Sequence, residues 1–198
     1  MRNSLIGVVL AVVLLGGLFA LAKYDPPQSF VTTPASEASK VQTGFSGAQQ
    51  IGAWTLACAP GQSHHAQLKA DAFGRCRVSL AYRRKDNPKQ VVMVIAMRLL
   101  GPDQHLAVIV VLPSVVKTGD NLELHVGKRM LKVPVANCKD KRCVALVATS
   151  AQGESQLLVG QGGVLVFPAD PSGKRAGVAV PFAGLQPAIA AMRRAESA

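Results

Sequence analysis

From Gly52 onward the chain alternates short stretches rich in Val, Leu and Ile with clusters of turn-forming residues. Aliphatic and β-branched residues at that spacing, bounded by Gly, Pro, Asn and Asp, predict strands. They are expected at Gly52–Cys58, Arg75–Arg83, Gln90–Leu100, His105–Leu112, Leu122–Val126, Met130–Val135, Cys143–Ala148, Val164–Phe167 and Gly177–Val180. The breaks at Asp86-Asn87-Pro88, Gly101-Pro102-Asp103, Thr118-Gly119-Asp120, Gly127-Lys128 and 168–173 carry turn chemistry. Two runs, Val91–Leu100 and Leu106–Leu112, are apolar at both alternating sets of positions, which predicts central strands covered on both faces. Each is too short to cross a bilayer as a helix, and the first contains Arg98. Leu185, Ile189 and Met192 then recur at helical spacing, so a short C-terminal helix lays that stripe on the strands. Arg193 and Arg194 fall in its last turn, where positive charge suits the helix dipole. The whole pattern predicts an all-β antiparallel sandwich closed by a short helix.

Ahead of this body, residues 5–22 (LIGVVLAVVLLGGLFALA) form an uncharged run after Arg2, ending in Ala20-Leu21-Ala22 before Lys23. That is the layout of a secretory signal with a small-x-small cleavage site. The run is also just long enough to span a bilayer, so a retained anchor is the alternative. Either way residues 23–198 are expected outside the cytoplasm, periplasmic or secreted, or tethered to the inner membrane with Arg2 held inside. Residues 23–50, with Pro26, Pro27 and Pro34 among Ser, Thr, Gly and Gln, read as a flexible linker, leaving 51–195 as the folded domain.

The 198 residues suffice for one domain with a real core, and 49% hydrophobic against 17% charged residues exclude extensive disorder. Export gives the cysteines a meaning. Cys58, Cys76, Cys138 and Cys143 are an even number in an oxidising compartment, which predicts two disulfides. Of the three connectivities, Cys58–Cys76 with Cys138–Cys143 is favoured, because each pair closes a local loop between adjacent strands. Loop entropy would contribute roughly 3 and 2 kcal/mol respectively. A zinc site would want Cys-x-x-Cys pairs or interleaved histidines, which are absent. A redox-active dithiol at Cys138 and Cys143, beside Lys139, Lys141 and Arg142, is the functional alternative.

At these residues a family resemblance emerges. GAWTLAC (Gly52–Cys58) with Cys76 opening an apolar strand, the block Val111–Leu146 with its paired Cys138 and Cys143, and the ending Val178–Met192 resemble the invasion-associated locus B family of exported bacterial proteins. Leu185 stands where that family usually has Phe, and Arg142 where Gly is expected before the last cysteine. The resemblance implies an immunoglobulin-like β-sandwich, exported and disulfide-bonded, associated with host-cell invasion in some pathogens and without an established catalytic activity.

Candidate chemistry beyond the thiols is sparse. Trp54, the only tryptophan, is expected to pack in the core beside a disulfide. His64, His65, His105 and His125 are the only imidazoles; a metal site built from them with Asp71 or Asp103 is the minor reading, since adjacent histidines on an extended segment point to opposite faces. Ser114-x-x-Lys117 and Lys117-Thr118-Gly119 overlap on one lysine, unlike the separate motifs of penicillin-recognising enzymes. Common hydrolase and nucleotide-binding signatures are missing, so neither catalysis nor a cofactor is expected. What remains is charge. The formal net charge is +11, and cleavage after Ala22 removes only Arg2. Basic clusters at Arg83-Arg84-Lys85, Lys128-Arg129 and Lys139, Lys141 and Arg142 mostly occupy predicted turns. For an exported chain the expected partner is anionic lipid, lipopolysaccharide or a host-cell surface rather than nucleic acid. A structural subunit of an anchored envelope complex is the other alternative to redox chemistry.

Overall fold

The computed structural model describes residues 46–59, 73–170 and 173–197. The run read as a signal or anchor, most of the stretch read as a linker, His64, His65 and Asp71 lie outside those residues. The described residues form ten strands and two helices: β1 (Ser46–Ile51), β2 (Trp54–Cys58), β3 (Cys76–Arg83), β4 (Val91–Leu100), β5 (His105–Pro113), β6 (Asn121–Val126), β7 (Arg129–Lys139), β8 (Arg142–Ala148), α1 (Ala151–Val159), β9 (Gly162–Pro168), β10 (Arg175–Pro181) and α2 (Leu185–Ser197). Neighbouring strands pair antiparallel in the order β1-β2-β3-β4-β5-β8-β7-β6-β9-β10.

β7 turns this path into a sandwich. Its first part pairs with β6, from Val126↔Arg129 to Asn121↔Pro134, and its last part with β8, from Val135↔Ala145 to Lys139↔Arg142, with a register shift between Val135 and Asn137. Pro134 offers no N–H to a ladder, and an irregularity just beyond it bends the strand. The result is a half-barrel in which a seven-stranded limb, β1 to β5 with β8 and β7, faces a limb of β7, β6, β9 and β10. Between them Trp54, Tyr82, Ile95, Met97, Leu106, Leu122, Leu124 and Leu165 are fully buried. α2 buries Leu185, Ala188, Ile189 and Met192 against β1, β2 and β3. The indole Nε1 of Trp54 donates to the Pro181 carbonyl at 3.0 Å and the Tyr82 hydroxyl to the Ala179 carbonyl at 2.8 Å, tying β2 and β3 to β10, the last strand of the path.

Three details depart from the sequence pattern. β1 (Ser46–Ile51) lies mostly inside the stretch read as linker, because Gln49, Gln50 and Ile51 pair with β2. α1 is an additional element; only Leu157 is buried on it, and its start is fixed by Ser150 Oγ accepting from the Gly153 N–H at 3.1 Å. The central strands are not covered equally on both faces: the outward Val94, Ile109 and Val111 stay half-buried and outside the core cluster.

Candidate functional site

Strand register brings three connections to one end of the seven-stranded limb. Arg83 at the end of β3 faces Val91 at the start of β4, Val94 faces Val111 of β5, and Pro113 at the end of β5 faces Arg142 at the start of β8. The β3–β4 turn, the β5–β6 connection and the β7–β8 turn therefore emerge side by side. They carry Arg83, Arg84, Lys85, Lys89, Lys117, Lys139, Lys141 and Arg142 against Asp86, Asp120 and Asp140. Lys128 and Arg129 do not join them. They sit at the β6–β7 turn, the other end of the 11-residue β7, on the order of 30 Å away along the strand.

Local bonds shape this basic end. Arg84 forks onto Asp86 through Nε at 2.8 Å and a second nitrogen at 2.6 Å. Hydrogen bonding and charge from Arg84 hold the Asp86 carboxyl below the usual range, and Asp86 in turn raises the guanidinium. Arg83 donates to the Pro88 carbonyl at 2.8 Å. Asp120 accepts from the Lys117 backbone N–H at 2.8 Å, and the Ser114 N–H reaches the Lys141 carbonyl at 3.1 Å, which locks the β5–β6 connection to the β7–β8 turn. Lys85, Lys89, Lys117, Lys139, Lys141 and Arg142 all remain exposed.

The β7–β8 turn is tight. Asp140 and Lys141 both have positive φ, 51° and 61°, as a two-residue hairpin turn of this hand requires. A disulfide joins Cys138 to Cys143, directly opposed across the two strands. The Val116 carbonyl oxygen lies 3.3 Å from the Cys143 sulfur and 3.7 Å from that of Cys138. Bonded sulfurs carry no proton, so this is a packing contact rather than a hydrogen bond. Cys143 is completely buried, Val116 nearly so and Cys138 half-buried, which places the bridge under the basic turn.

The second disulfide, Cys58–Cys76, marks the opposite end of the limb. Around it gathers a cluster that the sequence gives little sign of: Arg75, Arg77, Arg98 and the buried Glu196. Arg98 donates to the Gly74 carbonyl and stacks 5.1 Å over the Phe73 ring. Burial, then the charge of Arg98, lowers the Arg77 guanidinium; burial lowers Arg98, partly offset by Glu196. The one signal in the sequence is Arg98 itself, a charge within an apolar strand.

His125 lies on β6 with Nε2 3.1 Å from Glu123, whose other oxygen pairs with Arg175 at 3.0 Å. His105 and Asp103 are exposed at the β4–β5 turn. Among the described residues no three His, Cys, Asp or Glu side chains gather as a metal site would require, and no helix is long and apolar enough to cross a membrane.

A model of the invasion associated locus B protein family matches residues 54–193, from the core tryptophan to the final helix and across both disulfides. The chain belongs to that family. Its fold is similar to the crystal structure of invasion associated protein B from Bartonella henselae, with a TM-score of 0.61 at 16% identity, covering 77% of this chain and all of that one. No curated protein matches the chain. Family and fold thus agree with the two bridges and the antiparallel sandwich.

Proposed function

We propose that this invasion-associated-family protein is an exported, disulfide-stabilised module that acts by binding an anionic surface, not by catalysis, and that the contact is the basic end formed by the β3–β4, β5–β6 and β7–β8 connections. The observation that carries this reading is the register, which sets eight Lys and Arg against three Asp at one end of the sheet. Charges within a Debye length, about 8–10 Å, reinforce one another, so a gathered set exerts a field that the same residues scattered would not. The Bartonella protein's name links that neighbour to invasion, and a module that adheres to a charged cell or envelope surface fits such a role.

The test is cosedimentation with vesicles containing anionic lipid across a salt series. Binding should weaken steeply with salt. Triple replacement Lys139→Glu, Lys141→Glu, Arg142→Glu should abolish it, while Lys128→Glu with Arg129→Glu should leave it nearly intact. Equal losses from the two sets would overturn the placement of the site, and salt-independent binding throughout would overturn its electrostatic nature.

A further inference from the structure

At the basic end, the last row of residues crosses five adjacent strands, β3, β4, β5, β8 and β7. Register sets Arg83 opposite Val91, Pro113 opposite Arg142 and Arg142 opposite Lys139, with β4 and β5 in step through Val94 and Val111. Four inter-strand gaps of about 4.8 Å make this row roughly 19 Å long. Arg83, Arg142 and Lys139 all sit on its outward side, because the adjacent Tyr82, Cys143 and Cys138 turn inward. The β3–β4 turn adds Lys85 and Lys89 toward one end of the row and the β7–β8 turn adds Lys141 at the other. Lys117 follows Val116, whose carbonyl touches the sulfurs under that second turn. The cations thus line a strip that is long and only one strand end wide.

Twist shapes the strip. Successive strands of a sheet rotate by about 20–25°, so their ends climb a ramp instead of lying in one plane. A flat bilayer meets only part of such a ramp, whereas a linear chain can follow all of it.

The groups among the cations favour a sugar polymer. Asn87, Gln90, Ser114 and Thr118 are exposed there, amides and hydroxyls that can exchange hydrogen bonds with sugar hydroxyls. The three connections contain no aromatic ring on which a nucleic-acid base could stack. Val91, 39% exposed, is the one large apolar side chain exposed in the row, too little to hold an acyl layer.

We infer that this row binds a linear acidic polysaccharide. The chain lies across the strand ends, its sulfate or carboxylate groups on the cations and its hydroxyls on the amides and hydroxyls between them. This rests on the anionic-surface reading above and names the polymer that occupies the basic end.

The experiment measures binding of labelled heparin fragments of defined length, from a disaccharide upward. Affinity should rise with length until the fragment spans the row and then level off. Lys85→Ser with Lys89→Ser, at one end, or Lys139→Ser with Arg142→Ser, at the other, should each weaken a long fragment about tenfold. Each pair should also make affinity level off at a shorter length, which loss of charge from a compact patch would not do. Lys128→Ser with Arg129→Ser should change neither quantity. Anionic vesicles and single-stranded DNA, matched for charge, should displace the fragment less well than unlabelled heparin.

Vesicle binding without fragment binding would overturn this inference and leave the basic-end reading standing, whereas absence of both would overturn that reading too. A plateau at the same length in wild type and both end variants would remove the row. Displacement by vesicles equal to that by heparin would assign the site to lipid, and equal displacement by DNA would assign it to polyanions at large; either result defeats the polysaccharide.

Discussion

The buried carboxylate of Glu196 accepts a hydrogen bond from the backbone N–H of Cys76, fastening the last turn of α2 to the first residue of β3. The Arg75 guanidinium donates to the adjacent Ala195 carbonyl. Gly74 makes room for the contact, since a Cβ there would stand 2.5 Å from Glu196 Oε1. Glu196→Ala leaves a buried donor without its acceptor and removes the negative charge beside Arg98, so it should cost about 2–3 kcal/mol in urea unfolding. Glu196→Gln keeps an acceptor oxygen and should cost clearly less.

Tyr82 ties the two limbs together through the Ala179 carbonyl, and burial raises its phenol well above the ordinary value. A group raised in the folded state stabilises below its unfolded pKa and loses that contribution as pH rises. Wild-type stability should therefore fall above about pH 10. Tyr82→Phe should cost about 1 kcal/mol at neutral pH through the lost hydrogen bond, and should lack this tyrosine's share of the alkaline decline.

Lys141 sits at φ 61°, a conformation that glycine adopts without strain. Lys141→Gly should raise stability by up to about 1 kcal/mol while weakening adhesion to anionic vesicles. A variant that stabilises and binds undiminished would show that the side chain contributes nothing to the basic end.

The Cys138–Cys143 bridge lies beneath Val116 with Cys143 fully buried. Mild reductant followed by alkylation of the folded protein should leave it intact by mass. Rapid selective labelling of these two thiols would favour redox chemistry instead. Cys138→Ser with Cys143→Ser should cost roughly 2 kcal/mol by loop entropy.

Arg175, and then His125, lowers the Glu123 carboxyl below its usual range. A depressed carboxylate stabilises at neutral pH and loses that contribution as pH falls through the folded value. With Glu123 22% exposed and Arg175 46%, the effect should stay below about 1 kcal/mol. Glu123→Gln should be slightly less stable than wild type at neutral pH, and the difference should vanish once acid has protonated the carboxylate in both states.

Most of the strands are legible in the sequence because apolar runs and turn clusters are local signals. β1 is not: Ser46 to Gln50 carries no apolar alternation, and only pairing with β2 makes it a strand. α1 is hidden by Gly153 and by a single buried leucine. The run of β7 beyond Val135 to Lys139 depends on β8, which takes over pairing where β6 leaves off.

Residues close along the chain suffice for most of the strand inventory, the C-terminal helix, the excess of cations and the short loops that bring Cys58 to Cys76 and Cys138 to Cys143. Other features arise only when distant strands meet. Arg83 and Arg142 share an end of the sheet, Arg129 lies far from Lys139 on the same strand, Glu196 reaches Cys76, and the second apolar face of β4 and β5 stays half-exposed. Those outcomes depend on strand order and register, which are set by contacts between segments far apart in sequence, and no local pattern of residues encodes which distant strand will be the neighbour.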